Sequence, residues 1–78
     1  MYYVYILKNE FDWTYVGQTN NIEDRLKRHN SGLVRSTKSK IPLSIVHKEI
    51  FETRAESMRR EKELKGGQGR EWIKKMFS

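Results

Sequence analysis

The sequence predicts an α+β fold, a three-stranded, mostly antiparallel sheet covered by helices in the order β-β-α-β-α-α, with residues 1–78 forming one domain. Three observations carry that expectation. The chain opens on an unbroken apolar and aromatic run, Tyr2–Leu7 (YYVYIL). Capping-box patterns mark helix starts at Asn20 and Thr53, each with a glutamate three residues on, at Glu23 and Glu56. The pair Gly66-Gly67 then divides the C-terminal third into two helical stretches. Seventy-eight residues suffice for a single modest core and no more.

Each element follows from its residues. Tyr2–Leu7 is apolar at every position, as suits a strand buried on both faces and therefore central in its sheet. Asn9 and Asp12 supply a turn, and Thr14–Gln18 carries the β-branched and aromatic residues of a second strand, paired with the first as an antiparallel hairpin. The first helix starts at Asn20 as N-cap, gains acidic first-turn charge from Glu23 and Asp24, and ends in Lys27, Arg28 and His29 before Asn30-Ser31-Gly32. Leu33–Lys40 is polar, basic and aperiodic, hence a loop, and Ser44–Glu52 is a third strand of mixed sidedness. His47 within it is expected to be a half-exposed strand histidine rather than a ligand. The second helix runs from Thr53 to Gly66-Gly67 with sparse apolar positions, Ala55, Met58 and Leu64, while Arg59, Arg60, Lys62, Glu63 and Lys65 read as a solvated face. Gln68–Ser78 forms a short third helix packing through Trp72, Ile73, Met76 and Phe77.

Composition narrows the function classes. Cysteine is absent, so neither a disulfide framework nor a thiolate metal site is available. No run approaches the ~18 apolar residues of a membrane span, and the N-terminus leads into a strand rather than a signal peptide, which predicts a soluble, cytoplasmic protein. Sixteen Lys and Arg against ten Asp and Glu give a net charge of +6, which favours a polyanionic partner, most simply nucleic acid.

The candidate site residues lie in two helices and the hairpin. Ile22 and Leu26 must face a core, which places Arg25 and His29 at the edge of the same stripe, beside Tyr15. Glu61 falls between Met58 and Leu64, in the middle of the stripe the second helix buries. A carboxylate there is costly unless a cation, a donor or a metal meets it. The plainer roles are a surface cation for Arg25, a dipole-complementing residue for His29, a core aromatic for Tyr15, and a salt bridge from Glu61 to Arg25 or Arg59.

This set of residues resembles the GIY-YIG nuclease superfamily. Tyr15-Val16-Gly17 stands for the second half-motif and Tyr3-Val4-Tyr5 for the first, with Tyr3 where the family usually has glycine. Arg25 follows Tyr15 by ten residues, His29 follows by four more, and Glu61 lies on a later helix, as in the family pattern. The asparagine that some members carry near the C-terminus has no counterpart here. The resemblance implies a metal-dependent DNA endonuclease, structure-selective or nonspecific, of the kind used in DNA repair or recombination. Glu61 would hold Mg²⁺ or Mn²⁺, a lone carboxylate with waters suiting these ions better than zinc. Arg25 would stabilise charge on the phosphate, and Tyr15 would be general base, with His29 accepting its proton and Tyr5 orienting Tyr15 or the attacking water. Arg35, Lys38 and Lys40 are candidate phosphate contacts. The partner is DNA, with RNA as an alternative polymer and a partner protein as an alternative source of specificity. A nucleic-acid-binding module without cleavage and a protein-interaction domain are the competing readings.

If phosphate contacts dominate binding, log affinity for duplex DNA falls linearly with log salt, with a slope near about −0.9 per phosphate neutralised. Affinity unchanged between roughly 50 and 200 mM salt favours the protein-interaction reading instead.

Overall fold

The computed structural model describes residues 1–77. Strands β1 (Tyr2–Lys8) and β2 (Thr14–Thr19) are followed by α1 (Ile22–Asn30), a 3₁₀ turn at Lys38–Lys40, β3 (Ser44–Phe51), α2 (Arg54–Lys65) and α3 (Gly67–Phe77). The sheet order is β2-β1-β3 with both pairings antiparallel, so the expected class and element order are observed. Among the described residues no helix is long and apolar enough to cross a membrane.

β1 is central because all of its middle is apolar. Val4, Ile6 and Leu7 are fully buried and Tyr5 is 1% exposed. Burying each such side chain contributes roughly 1.5–3 kcal/mol. Alternation along the strand divides the core in two. Val4, Ile6 and Val16 pack with Leu64 and Ile73 from α2 and α3. Tyr5 and Leu7 pack with Leu43, Trp13, Tyr15, Ile22 and Leu26 on the α1 side. The register pairs Tyr5 with Gly17 and Leu7 with Tyr15. Tyr5 and Tyr15 therefore share a face, a relation the sequence alone leaves open.

Expectations about α1 and α2 are corrected at three points. The N-cap of α1 is Asn21 rather than Asn20, its side chain accepting from the Asp24 N–H at 3.1 Å. The strand runs on to Thr19, whose hydroxyl accepts from the Asn21 N–H, so the helix starts one residue later and Glu23 falls short of the box position. His29 is fully buried rather than at the edge. Seven residues return a helix to within about 20° of the starting direction, so His29 lies over Ile22 on the apolar stripe itself.

The third correction concerns α2, whose capping box Thr53–Glu56 forms as expected. Its inner face is Ser57 and Leu64, both buried, with Arg60 and Glu61 half-buried between them; Met58 is 52% exposed and Ala55 is exposed too. Glu61 stays on the inner side although the stripe is not the expected one. Arg60, expected in solvent, makes a two-pronged pair with Glu49 of β3, Nε to Oε1 at 2.8 Å and a terminal nitrogen to Oε2 at 3.1 Å. Its guanidinium also lies 5.9 Å from the Trp72 ring centroid. Burial would raise the Glu49 carboxyl, but the Arg60 and His47 hydrogen bonds outweigh it and hold the pKa below the usual carboxylate value. His47, half-buried and 2.7 Å from Glu49, is thus the structural strand histidine expected.

In α3, Ile73 is buried and Trp72 and Phe77 pack beside it, whereas Met76, expected on that face, is 57% exposed. Ser78 lies outside the described residues. α3 turns back on α2 at Gly69, where an added Cβ would stand 2.4 Å from the Glu63 carbonyl oxygen and the Leu64 Cα. These are backbone atoms that cannot swing aside. Gly69→Ala is therefore expected to lower stability by about 1–3 kcal/mol in a urea melt. A variant as stable as wild type means the corner is not closely packed.

Candidate active site

The α1 side of the sheet brings four of the five expected catalytic residues together. Tyr5, at the centre of β1, lies flat over Gly17, where an added Cβ would come within 2.3 Å of the tyrosine oxygen. Glycine at the opposed position is what lets the ring lie there. The Tyr5 hydroxyl is 3.0 Å from His29 Nε2, and His29 Nδ1 is 2.7 Å from the Thr37 hydroxyl, all buried. The Tyr15 ring stands edge-on to the His29 ring with centroids 5.1 Å apart, and 6.4 Å from Tyr5. Arg25 is half-buried on the same helix, and its charge reaches both Tyr5 and His29.

The hydrogen bonds have a direction. The Thr37 hydroxyl donates to the Val34 carbonyl at 3.4 Å, so its oxygen accepts from His29 Nδ1–H. Nε2 then carries the lone pair and accepts from Tyr5 O–H. Burial, followed by the Arg25 charge, lowers the His29 pKa and keeps the imidazole neutral. Burial also raises the Tyr5 phenol well above the usual tyrosine range; Tyr15 and Glu61 add to this, and Arg25 opposes it. The imidazole is thus hydrogen-bonded by Tyr5, whereas the family resemblance implied Tyr15 as its partner. Tyr5 sits in the fully buried centre of the sheet, directly under α1, whereas Tyr15 is displaced by one cross-strand step.

Glu61 approaches from the other face. α2 packs against β1 and β2, and β2 is the edge strand, so side chains of α2 can reach around it. Lys65 does so, with Nζ 5.9 Å from the Tyr15 ring centroid and 3.4 Å from Glu61 Oε2. That pairing replaces the Arg25 or Arg59 bridge considered from sequence. The Glu61 side chain is 25% exposed. Among the described residues no three His, Asp or Glu side chains converge, so a metal held at Glu61 would meet one hard carboxylate and otherwise water. Such a set fits a hydrated Mg²⁺ or Mn²⁺, which keeps most of its waters, and not zinc.

Of the expected phosphate contacts, Arg35 and Lys38 are exposed, while Lys40 is half-buried with its ammonium 5.5 Å from the Trp13 ring centroid. A cleft of about 760 Å³ opens beside Tyr15, floored by Leu64 and Ile73 and edged by Lys65, Arg70 and Lys74. Of the expected catalytic residues it is lined by Tyr15 alone, and its floor belongs to the α2–α3 side of the sheet. Thr37, Lys65 and Trp13 were not singled out by sequence. Thr37 stands in a polar loop with no period, and only the fold shows that it is fully buried against His29.

A model of the GIY-YIG catalytic domain matches residues 1–75. The chain belongs to the GIY-YIG family. This is a nuclease-type catalytic domain, and the match spans both half-motifs, Arg25, His29 and Glu61. The GIY-YIG chain is 42% identical over 65 residues to a UPF0213 protein of Staphylococcus haemolyticus, covering 82% of this chain and 79% of the relative. It is also 42% identical over 66 residues to a UPF0213 protein of Clostridium perfringens, covering 83% and 71%. The solution NMR structure of a UPF0213 protein from Bacillus halodurans matches with a TM-score of 0.57 and 31% identity, over 97% of this chain and 85% of that one.

The two pKa shifts set opposite pH limits on stability. His29 has a folded pKa below its unfolded value of ~6.5, so the unfolded chain binds the proton more readily and stability is lost as pH falls below about 6.5. Tyr5 has a folded pKa above ~10, so its contribution is lost as pH rises past the unfolded value. Wild type should lose more melting temperature than His29→Gln on going from pH 7 to about 5. Absorbance at 295 nm should show one phenol ionising last, a step missing from Tyr5→Phe. Equal acid sensitivity in His29→Gln would contradict the neutral imidazole.

Proposed function

We propose that this GIY-YIG chain is a divalent-metal-dependent endonuclease that hydrolyses phosphodiester bonds of DNA, structure-selective or nonspecific. The observation that carries the reading is the directed hydrogen-bond chain Tyr5–His29–Thr37 beside Tyr15 and Arg25. A buried phenol with a neutral imidazole waiting to accept its proton is an arrangement for moving protons.

In the proposed reaction, Tyr5 passes its proton to His29 Nε2, and the phenolate takes a proton from the attacking water. The water oxygen bonds to phosphorus as the bond to the leaving oxygen breaks; the leaving alkoxide takes up a proton from solvent and the proton held by His29 returns to solvent, which restores the neutral pair. Thr37 holds the imidazole in the tautomer whose Nε2 can accept. The Arg25 guanidinium favours the phenolate and meets the phosphate oxygens as negative charge accumulates on them. Tyr15, edge-on to His29, is the member of this group that also lines the cleft. Glu61 would hold a Mg²⁺ or Mn²⁺ ion, which when bound polarises the scissile phosphate and neutralises the leaving oxygen. Lys65 can release Glu61 because it is half-exposed and flexible.

The polynucleotide backbone has a cationic path along the cleft past Lys65, Arg70 and Lys74, with Arg35 and Lys38 as outer contacts. These groups bind phosphate and leave sequence unread. Substrate choice then rests on DNA shape or on a partner protein, and RNA offers the same phosphates.

The test is cleavage of single-stranded, duplex, flap and branched DNA with Mg²⁺, Mn²⁺ or EDTA. Wild type should cut in a metal-dependent way, and Glu61→Gln should abolish cutting while leaving DNA affinity and melting temperature nearly intact. Cleavage that survives in Glu61→Gln removes the assigned role. Binding without cleavage of any of these substrates by wild type favours the binding-module reading.

A further inference from the structure

The β1–β2 connection holds a large aromatic in water. Phe11 is 81% exposed at its tip. A loose loop could do this by accident, but this one is built. Asn9 Oδ1 accepts from both the Phe11 and Trp13 N–H groups at 3.0 Å, Lys8 and Asp12 pair at 2.9 Å, and Asp12 adopts a positive φ of 65° to close the turn. Asn9 also donates to the Lys40 carbonyl at 3.2 Å, which ties the tip to the segment after the basic loop.

Between the two lies a hollow of about 390 Å³ whose walls include Phe11, Trp13, Lys40, Ile41 and Pro42. Ile41 is 39% exposed, and Lys40 sits over the Trp13 ring. Trp13 in turn stacks on Tyr15, with centroids 6.3 Å apart and planes at 23°, so the hollow is one side chain removed from the candidate site. Lys38, exposed in the same 3₁₀ turn as Lys40, adds positive charge. Of the acids at the tip, Asp12 is neutralised by Lys8 and Glu10 is left at the rim. Aromatic faces interleaved with cations and joined to a phosphate-handling site are the pattern that receives unstacked bases.

We propose that the hollow between the β1–β2 tip and residues 39–42 seats an unpaired nucleobase of the strand whose phosphate enters the site, stacked against Phe11 and packed on Trp13 in place of the Lys40 ammonium, which turns to the strand's phosphate. This rests on the nucleic-acid substrate proposed above and refines it: the preferred substrate has an unpaired nucleotide beside the scissile position, as in a single strand, a flap or a frayed end. A paired base inside a duplex cannot enter without first leaving its stack.

The test measures binding alone, by anisotropy of labelled oligomers in EDTA with the Glu61→Gln protein. An oligo-dT is compared with an abasic oligomer of equal length and with a duplex. Oligo-dT should bind tighter than either. Phe11→Ala should weaken oligo-dT binding by roughly 5- to 150-fold, the range found for removing a base–aromatic stack, and should leave the abasic oligomer unaffected. Phe11→Tyr should restore binding. Equal affinity for dT and abasic oligomers overturns the proposal, as does a Phe11→Ala loss of the same size on both. These outcomes are separate from catalysis: base-dependent binding in a chain that cuts nothing keeps the seat and removes the nuclease reading, and cleavage without base dependence does the reverse.

Discussion

The contact on which the rest depends is the Tyr5 ring lying over Gly17 with its hydroxyl on His29. It joins the two strands of the hairpin to α1 through one side chain, and it requires glycine opposite because any Cβ would occupy the place of the phenol oxygen. A buried hydroxyl and a buried imidazole would each be unfavourable without partners. Here each satisfies the other, and Thr37 satisfies the second ring nitrogen. Polar groups in the middle of a small core are thereby made part of its specification.

The other half of the site is held from the opposite face by a different device. α2 carries few apolar residues, and its inner face is Ser57, Arg60, Glu61 and Leu64. Leu64 supplies the burial, and the Arg60–Glu49 pair fixes the helix to β3 with two short hydrogen bonds that also engage His47. That anchoring lets Glu61 face the sheet without a hydrophobic stripe of its own. Because β2 is an edge strand, Lys65 reaches past it to Tyr15, and groups from the two faces of the sheet meet at the edge.

The fold class is legible in the sequence because its strongest local signals agree. YYVYIL suits a strand buried on both faces, and Thr53–Glu56 closes its capping box as written. The gathering of the candidate residues is legible in the sequence, their wiring less so. Tyr5, Tyr15, Arg25 and His29 gather on one face, yet the assignment of His29 to Tyr15 depends on a register that spacing leaves free, and the register joins it to Tyr5 instead. Thr37 carries no local signal, since a buried threonine in a basic loop looks like any other polar loop residue. Arg60 looks solvated on a helical wheel because its partner, Glu49, lies on another element.

One consequence of the wiring bears on the proposed chemistry. Moving a proton from Tyr5 to His29 leaves the pair neutral overall, so Arg25 helps the phenolate end of it and opposes the imidazolium end. Its two effects on that transfer largely offset each other. Taking a second proton from water is different, because the pair then gains a net positive charge inside a buried site already facing a guanidinium. Burial and Arg25 both resist that state, which is why the resting imidazole is neutral. A phosphodiester beside Arg25 adds the missing negative charge and raises the proton affinity of the pair. On this account the base is weak in the empty site and becomes effective once the anionic substrate is in place, so the arrangement that depresses His29 at rest also ties proton acceptance to substrate binding.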